Sequence, residues 1–442
     1  MTEENIVSQY VLPNGITILH KYRGGDVAHI ALMVNTGMRD EMPNENGLAH
    51  LIEHMLFKGT RNRSIDQISE DKKNITHLNA FTNFQHMCVN FYDSNAKLNQ
   101  CLEFASDLLF NSTFDNQYIQ NELGVVFEEK ARKINESLKN VGYLHGFFLR
   151  PQLPQYDFIF GNENGLGKVT SKELSEYRNE HYKADEFVAS VTSSLPFFKI
   201  KRLIKKYFIN NLKSCSTKSQ ILPNDKEGIT QPEGINIITD SALKTIKASV
   251  SIKFPCEEYE FRENYEYDFI SNKFRRDKDS LHELVRKQGL SYTTSVYFYN
   301  MPEVTNNCIV FDFETSKLEN FDKLLNILGD SIKNIKKNGA TNEELDIMKE
   351  NILYDMDCDM PSSYRRTTEN MLRKLSRNDS YNKKFTRKFV KKLLKKTNSQ
   401  TMQEYINKIF DETNDIHITI LSPFDKNEFK TIKDYKNMIF KK

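Results

Sequence analysis

The chain has 442 residues with a 38% apolar fraction, too long for one ordinary core and suited to two to four domains. Lys and Arg number 62 against 60 Asp and Glu, a formal charge of +2, so no global charge excess favours nucleic acid or an acidic membrane surface as a partner. Six scattered cysteines without a C-x-x-C pair read as reduced thiols, not as a disulfide framework or a zinc–thiolate site.

The first residues, MTEENIVSQYVLPNGITILH, open acidic and lack the basic and apolar regions of a secretion signal. Apolar runs such as HIALMV are too short to span a bilayer, so a cytoplasmic location and no membrane partner are expected. After a Pro-Asn-Gly turn at 13–15, GITILH and VAHIALMVNTG alternate as strands. Helical periodicity follows at 47–58, 95–110, 115–137 and 171–182, and residues 186–192 read as a strand. The polar stretch 213–233 carries two prolines and reads as a linker. Beyond it the pattern restarts: NIITDSALKTIKASVSIKF alternates, and helical segments follow. The segments TSKELSEYRNEHYKADEFVASVT (170–192) and NSQTMQEYINKIFDETNDIHITI (398–420) resemble each other, with Tyr177 opposite Tyr405. The basic run KKFTRKFVKKLLKKT (383–397) reads as a solvated face over an apolar stripe at Phe385, Phe389 and Leu393. The prediction is an α+β chain of two similar domains, each a mixed or antiparallel sheet packed against helices. The first covers 1–213, a linker covers 214–233, and the second covers 234–442.

Chemistry concentrates in GLAHLIEHMLFKGT, residues 47–60. On a helix, His50 and His54 stand one turn apart on one face, so both imidazoles can reach one metal ion. Glu53 falls beside that pair, where a general base is wanted rather than a ligand. The order H-x-x-E-H is the inverted form of the H-E-x-x-H zinc-peptidase motif. A catalytic zinc takes three protein ligands and leaves a position for water, whose proton a neighbouring carboxylate can take. The helical segment NQYIQNELGVVFEEKARKINE (116–136) offers Glu122, Glu128 and Glu129 for the third place, and spacing does not choose among them. Glu122 and Glu129 stand two turns apart on one face, so one can ligate while the other orients a histidine.

The same stretch resembles the signature of the pitrilysin and mitochondrial-processing-peptidase family, the inverzincins, with Phe57, Gly59 and Thr60 matching the residues after the motif. That family draws its third ligand from a V-V-x-x-E pattern, which VVFEE (125–129) fits; the resemblance implies Glu129 as ligand and Glu122 as supporting carboxylate. LNAFTN (78–83) is similar to the strand that receives substrate backbone, which implies substrate contacts at Asn79, Ala80 and Phe81. LHELVRKQGLSYTTSV (281–296) resembles the second-domain segment whose Arg and Tyr grip substrate, here Arg286 and Tyr292. Two departures stand in the substrate strand's surroundings: NITHLNA lacks the family's glycines, and Gln85 replaces a usual Glu.

The resemblance implies a zinc metalloendopeptidase with one Zn2+ per chain and Glu53 as general base. It acts on short, extended or unfolded peptides or on a precursor leader, within a closed chamber. The family's chamber is a clamshell of four such domains, and two are read here. A second subunit is therefore expected, as a homodimer or, in the alternative, a heterodimer with a related subunit. The competing functional class is a catalytically silent scaffold subunit of a processing peptidase.

Overall fold

The computed structural model describes residues 7–42, 45–83, 86–137, 140–149, 160–161, 163–211, 233–255, 261–275, 279–291, 294–299, 306–357, 391–392 and 394–441. In chain order the elements begin with β1 (Val7–Val11), β2 (Thr17–Tyr22), β3 (Val27–Val34), α1 (Leu48–Met55), α2 (Ile65–Lys73), β4 (His77–Thr82) and β5 (Met87–Ser94). Then come α3 (Leu98–Asn111), α4 (Asn116–Ser137), α5 (Val141–Leu149), α6 (Glu163–Leu166), α7 (Ser171–His181), β6 (Phe187–Ser193) and α8 (Phe197–Phe208). The later part carries β7 (Gly234–Thr239), β8 (Ile246–Pro255), α9 (Phe261–Arg275), α10 (Leu281–Lys287), β9 (Thr294–Tyr299) and β10 (Asn306–Thr315). It ends with α11 (Leu318–Asn338), α12 (Asn342–Asp357), α13 (Ser399–Ile409), β11 (Ile416–Ser422) and α14 (Ile432–Phe440).

Two sheets organise these elements. The first has the order β1-β2-β6-β3-β5-β4, and the second β7-β11-β8-β10-β9. In each, one parallel pair (β2 with β6, β7 with β11) is followed by antiparallel pairs only. Strip β1 from the first sheet and the two orders superpose strand for strand, so the domains are similar and the class is α+β. The sequence repeat falls on matching pieces: α7 leads to β6, and α13 leads to β11. Both helices start on a side-chain cap, Thr170 accepting from the Glu173 amide and Asn398 from the Thr401 amide.

The turn at 13–15 forms as expected. Leu12 and Ile16 close it by a 2.8 Å backbone hydrogen bond, and Gly15 sits at φ 107°, a left-handed position that favours glycine. The first core joins Ile18, Ile30, Leu32, Val89 and Phe91 of the sheet to Leu51, Ile52 and Met55 of α1 and to Phe104 and Leu108 of α3. Helix α1 stops three residues before the predicted end, where the chain turns through Gly59 at φ 118°.

One boundary differs from the expected division. Among the described residues, 7–132 and 160–211 cluster as one unit, while 133–149 cluster with 233–356 and 391–441. Residues 133–149, read as part of the first domain, thus belong to the second unit. The cause lies in VGYLHGFFL. At Gly142 an added Cβ would stand 3.2 Å from the Tyr297 hydroxyl, a tight contact that the missing side chain avoids, while at Gly146 the Tyr299 hydroxyl would stand at an ordinary 3.5 Å. Nδ1 of His145 lies 2.9 Å from Oγ1 of Thr419 on β11. The expected linker 214–233 lies outside the described residues except for Glu233, as does most of the basic run 383–397. No helix among the described residues is long and apolar enough to cross a membrane.

Candidate metal centre

Helix α1 is fixed at both ends. Its sequence provides no side-chain N-cap: Gly47 occupies that position at φ 90°. Buried Glu41 supplies the missing acceptors, Oε2 taking the Gly47 amide at 2.9 Å and Oε1 the Ala49 amide at 2.7 Å. A side chain at position 47 would meet the Gly161 backbone at 2.6 Å, which is why glycine stands there. The apolar side chains Leu51, Ile52 and Met55 bury fully and aim His50 and His54 along the remaining face.

Helix α4 lays its carboxylates against that face. Oε2 of Glu129 stands 3.8 Å from Nε2 of His50 and 3.6 Å from Nε2 of His54. These three donors form one of the groups among the described residues that could hold a metal ion, with all ligand atoms within 4.8 Å of one another. Tetrahedral zinc with bonds of about 2.0–2.1 Å needs donors roughly 3.4 Å apart. The donor types fit the ion, and the two histidine–carboxylate separations exceed that spacing by only a few tenths of an ångström. The geometry also chooses among the three candidate glutamates. Glu129 faces the histidines, Glu128 is exposed, and Glu122 lies behind His54, its Oε2 3.3 Å from Nδ1. A carboxylate on the far nitrogen of a ligating histidine fixes the ring and its tautomer. A further group, Glu45, Glu180 and His181, lies at the surface with Glu180 exposed and His181 stacked on Tyr177 at 4.1 Å.

Burial lowers the His50 pKa to about 3, with the neighbouring His54 adding to the fall, so its imidazole is neutral at physiological pH and holds a lone pair for a metal. Its ring stands edge-on to Phe160 at 5.1 Å. Burial raises the Glu53 carboxyl above the ordinary carboxylate range, opposed by hydrogen bonds from the Thr82 hydroxyl and backbone amide. Oε2 of Glu53 is buried and has no hydrogen-bond partner among the described residues. A base with one oxygen left open, in electrostatic reach of His54 and Glu129, can accept a proton there.

The remaining predicted residues fall as follows. Asn79, Ala80 and Phe81 lie on β4, the last strand of the first sheet: Asn79 is exposed, Ala80 packs on the main core, and Phe81 packs on the opposite face with Leu19, Met33 and Val188. Arg286 is exposed in the last turn of α10, in the second unit; Tyr292 lies outside the described residues. Three residues at the site had no assigned role in the sequence reading: Glu41, Lys58 and, as the partner of Glu53, Thr82. A helix that opens without a capping side chain was a signal for Glu41. Nothing in the spacing pointed to Lys58, whose Nζ lies 2.5 Å from Oε1 of Glu122.

A family model described as Insulinase (Peptidase family M16) matches residues 17–145, and one described as Peptidase M16 inactive domain matches 168–352. The chain belongs to peptidase family M16. The first model spans α1 and the whole of α4, and so all of the metal-donor residues. "Uncharacterized zinc protease YmxG" of Bacillus subtilis (strain 168) is 25% identical over 381 residues, covering 84% of this chain and 87% of its own. The mitochondrial-processing peptidase subunit beta of Saccharomyces cerevisiae is 30% identical over 201 residues, 45% of this chain and 43% of that subunit. Among solved structures, a protease from Helicobacter pylori matches with TM-score 0.76 at 19% identity, over 95% of this chain and 100% of its own. The periplasmic protease PqqL from Escherichia coli matches with TM-score 0.75 at 16% identity; all of this chain aligns, on 50% of that one. At these identities the two structures establish the shared fold and nothing finer.

Proposed function

We propose that this M16 chain is a zinc metalloendopeptidase acting on short, extended or unfolded peptides or on a precursor leader. The observation that carries the reading is the convergence of Nε2 of His50, Nε2 of His54 and Oε2 of Glu129, together with a buried Glu53 that interacts electrostatically with His54 and Glu129 and has one oxygen without a hydrogen-bond partner among the described residues. His50, His54 and Glu129 would hold one zinc ion per chain. When bound, zinc would supply Lewis acidity, polarising the scissile carbonyl and making water a stronger acid. Glu53 accepts a proton from the attacking water on its open oxygen and delivers it to the nitrogen of the leaving strand. Thr82 keeps the other oxygen in place through its hydroxyl and amide, and Glu122 holds His54 from behind.

Because β4 ends the first sheet, an extended peptide can add there as a further strand, along Asn79 to Phe81. The resemblance adds Arg286 and Tyr292 as the grip from the second domain. A family chamber built of four domains, together with the match to half of the PqqL chain, supports pairing with a second copy of this chain. The processing-peptidase relatives support the alternative, a related non-identical subunit. Full activity at the native mass of one chain would refute the dimer.

The test is turnover of a mixed peptide library by the wild type and by Glu53→Gln, with the zinc content of each measured. Removing a general base costs about 10²- to 10⁴-fold in rate. Zinc in both proteins and cleavage by the wild type alone supports the assignment. Zinc without cleavage in the wild type points to the silent-subunit class, and absence of zinc from both refutes the metal centre.

A further inference from the structure

Lys58 stands in the turn that closes α1, its amide bonded to the Met55 carbonyl at 3.1 Å. Its Nζ meets Oε1 of Glu122 at 2.5 Å, while Oε2 of the same carboxylate meets Nδ1 of His54 at 3.3 Å. Glu122 is thus held at two points, one oxygen to each, by two residues of one helix and its closing turn. The Glu122 side chain is only 9% exposed. A carboxylate so far out of water is costly unless a cation and hydrogen bonds compensate it, and a neutral imidazole supplies one neutral donor. Lys58 supplies the charge. It also fixes the plane of the carboxylate, because a group gripped by one oxygen rotates about its terminal bond and a group gripped by both does not.

We propose that Lys58 is a positioning residue of the metal centre. Its ammonium holds Glu122 against Nδ1 of His54, so that Nδ1 carries the proton and Nε2 faces Glu129 with a free lone pair. The inference rests on the zinc reading above and extends it by one residue that touches neither the metal donors nor the base. Its consequence is graded zinc affinity. Partners behind a ligating histidine are worth about 10- to 100-fold in metal binding. Lys58 acts only through Glu122, so its effect vanishes where Glu122 can no longer respond.

The experiment uses the full chain, stripped of metal, with zinc affinity read by competition with a chromogenic chelator. Lys58→Met keeps the aliphatic stem and removes the charge; we expect it to bind zinc about 10-fold or more weakly. Lys58→Arg keeps a cation within reach and recovers most of the loss. In a Glu122→Gln background, Lys58→Met changes affinity less than about twofold, because the shared partner is already altered. Unchanged affinity in Lys58→Met, or the same loss with and without the Glu122 carboxylate, overturns the proposal.

A second readout needs neither metal nor variant. The ¹⁵N shifts of the His54 ring in the metal-free wild type report its tautomer. A dominant Nδ1–H form is expected, and a dominant Nε2–H form refutes the positioning claim even if Lys58→Met fails to fold. If the wild type binds no zinc, the metal centre is refuted and the metal role of Lys58 falls with it. If it binds zinc and Lys58→Met binds equally well, only the Lys58 proposal fails.

Discussion

Glu41 is the residue whose removal most directly tests how the metal-donor helix is held. Its two oxygens accept the Gly47 and Ala49 amides at 2.9 and 2.7 Å, at the start of a helix that has no capping side chain of its own. In Glu41→Ala both amides lose their acceptors inside a site where Glu41 is 3% exposed. Each buried donor left unpaired costs about 1–3 kcal/mol, so the expected loss is about 2–6 kcal/mol. A domain of this size loses about 2–4 °C per kcal/mol, which predicts a melting shift of about 4–24 °C. Glu41→Gln keeps one carbonyl acceptor and is expected to lose about half as much. Thermal and urea unfolding are measured at pH 9, above the value of about 8 to which burial pushes this carboxyl, so that both oxygens accept in the wild type. Zinc affinity should fall in the same order, because α1 carries His50 and His54. A Glu41→Ala protein within about 1 kcal/mol of wild type would show that the helix start finds other acceptors, and the argument from orphaned amides would be wrong.

Other predictions test different parts of the molecule. His145 is fully buried under the second sheet, where burial and the neighbouring His417 lower its pKa from 6.5 to about 3. The unfolded chain binds a proton below 6.5 that the folded one refuses, so this residue makes stability fall as pH drops below 6.5, by about 1.3 kcal/mol between pH 7 and 5.5. His145→Leu should flatten that part of the dependence in urea titrations; an unchanged slope would refute the assignment. A Cβ on Gly329 of α11 would stand 2.2 Å from the Met438 carbonyl and 3.0 Å from that of Ile439 in α14, so Gly329→Ala should destabilise by about 1–3 kcal/mol despite alanine's better helix propensity. A gain in melting temperature would show that the two helices can part. Zinc at about 100 times its dissociation constant should stabilise the wild type by about 2.7 kcal/mol in differential scanning calorimetry. Glu129→Gln should lose most of that gain, and a wild type indifferent to zinc would contradict the donor set.

What could be read from sequence divides along the range of the interactions involved. His50 and His54 are visible because the helix itself brings i and i+4 together. The two-domain repeat is visible because α7–β6 and α13–β11 are each local, and their caps at Thr170 and Asn398 are written within a few residues. Glu129 and Glu128 are adjacent in sequence, yet a 100° step round α4 puts one against the histidines and the other in water. Helical spacing could not make that choice, because it does not say which side of α4 meets α1; the family resemblance did. Glu41 is six residues before Gly47 and outside α1, so no helical periodicity points to its capping role.

The placement of α5 makes the same point at the scale of a domain. A boundary drawn from composition follows the chain, and the polar stretch after 213 was the obvious break. The units follow contacts instead. Helix α4 begins in the first unit, carries Glu122 and Glu129 there, and from Lys133 onward counts with the second. Gly142 then lets α5 approach Tyr297 closely, and His145 reaches Thr419, 274 positions along the chain. A glycine in an apolar helix can mark a close approach, but only the partner surface reveals to what. One of the three metal donors, Glu129, therefore sits on a helix whose two ends belong to different packing units. The linker that composition singled out is not the only covalent connection between them.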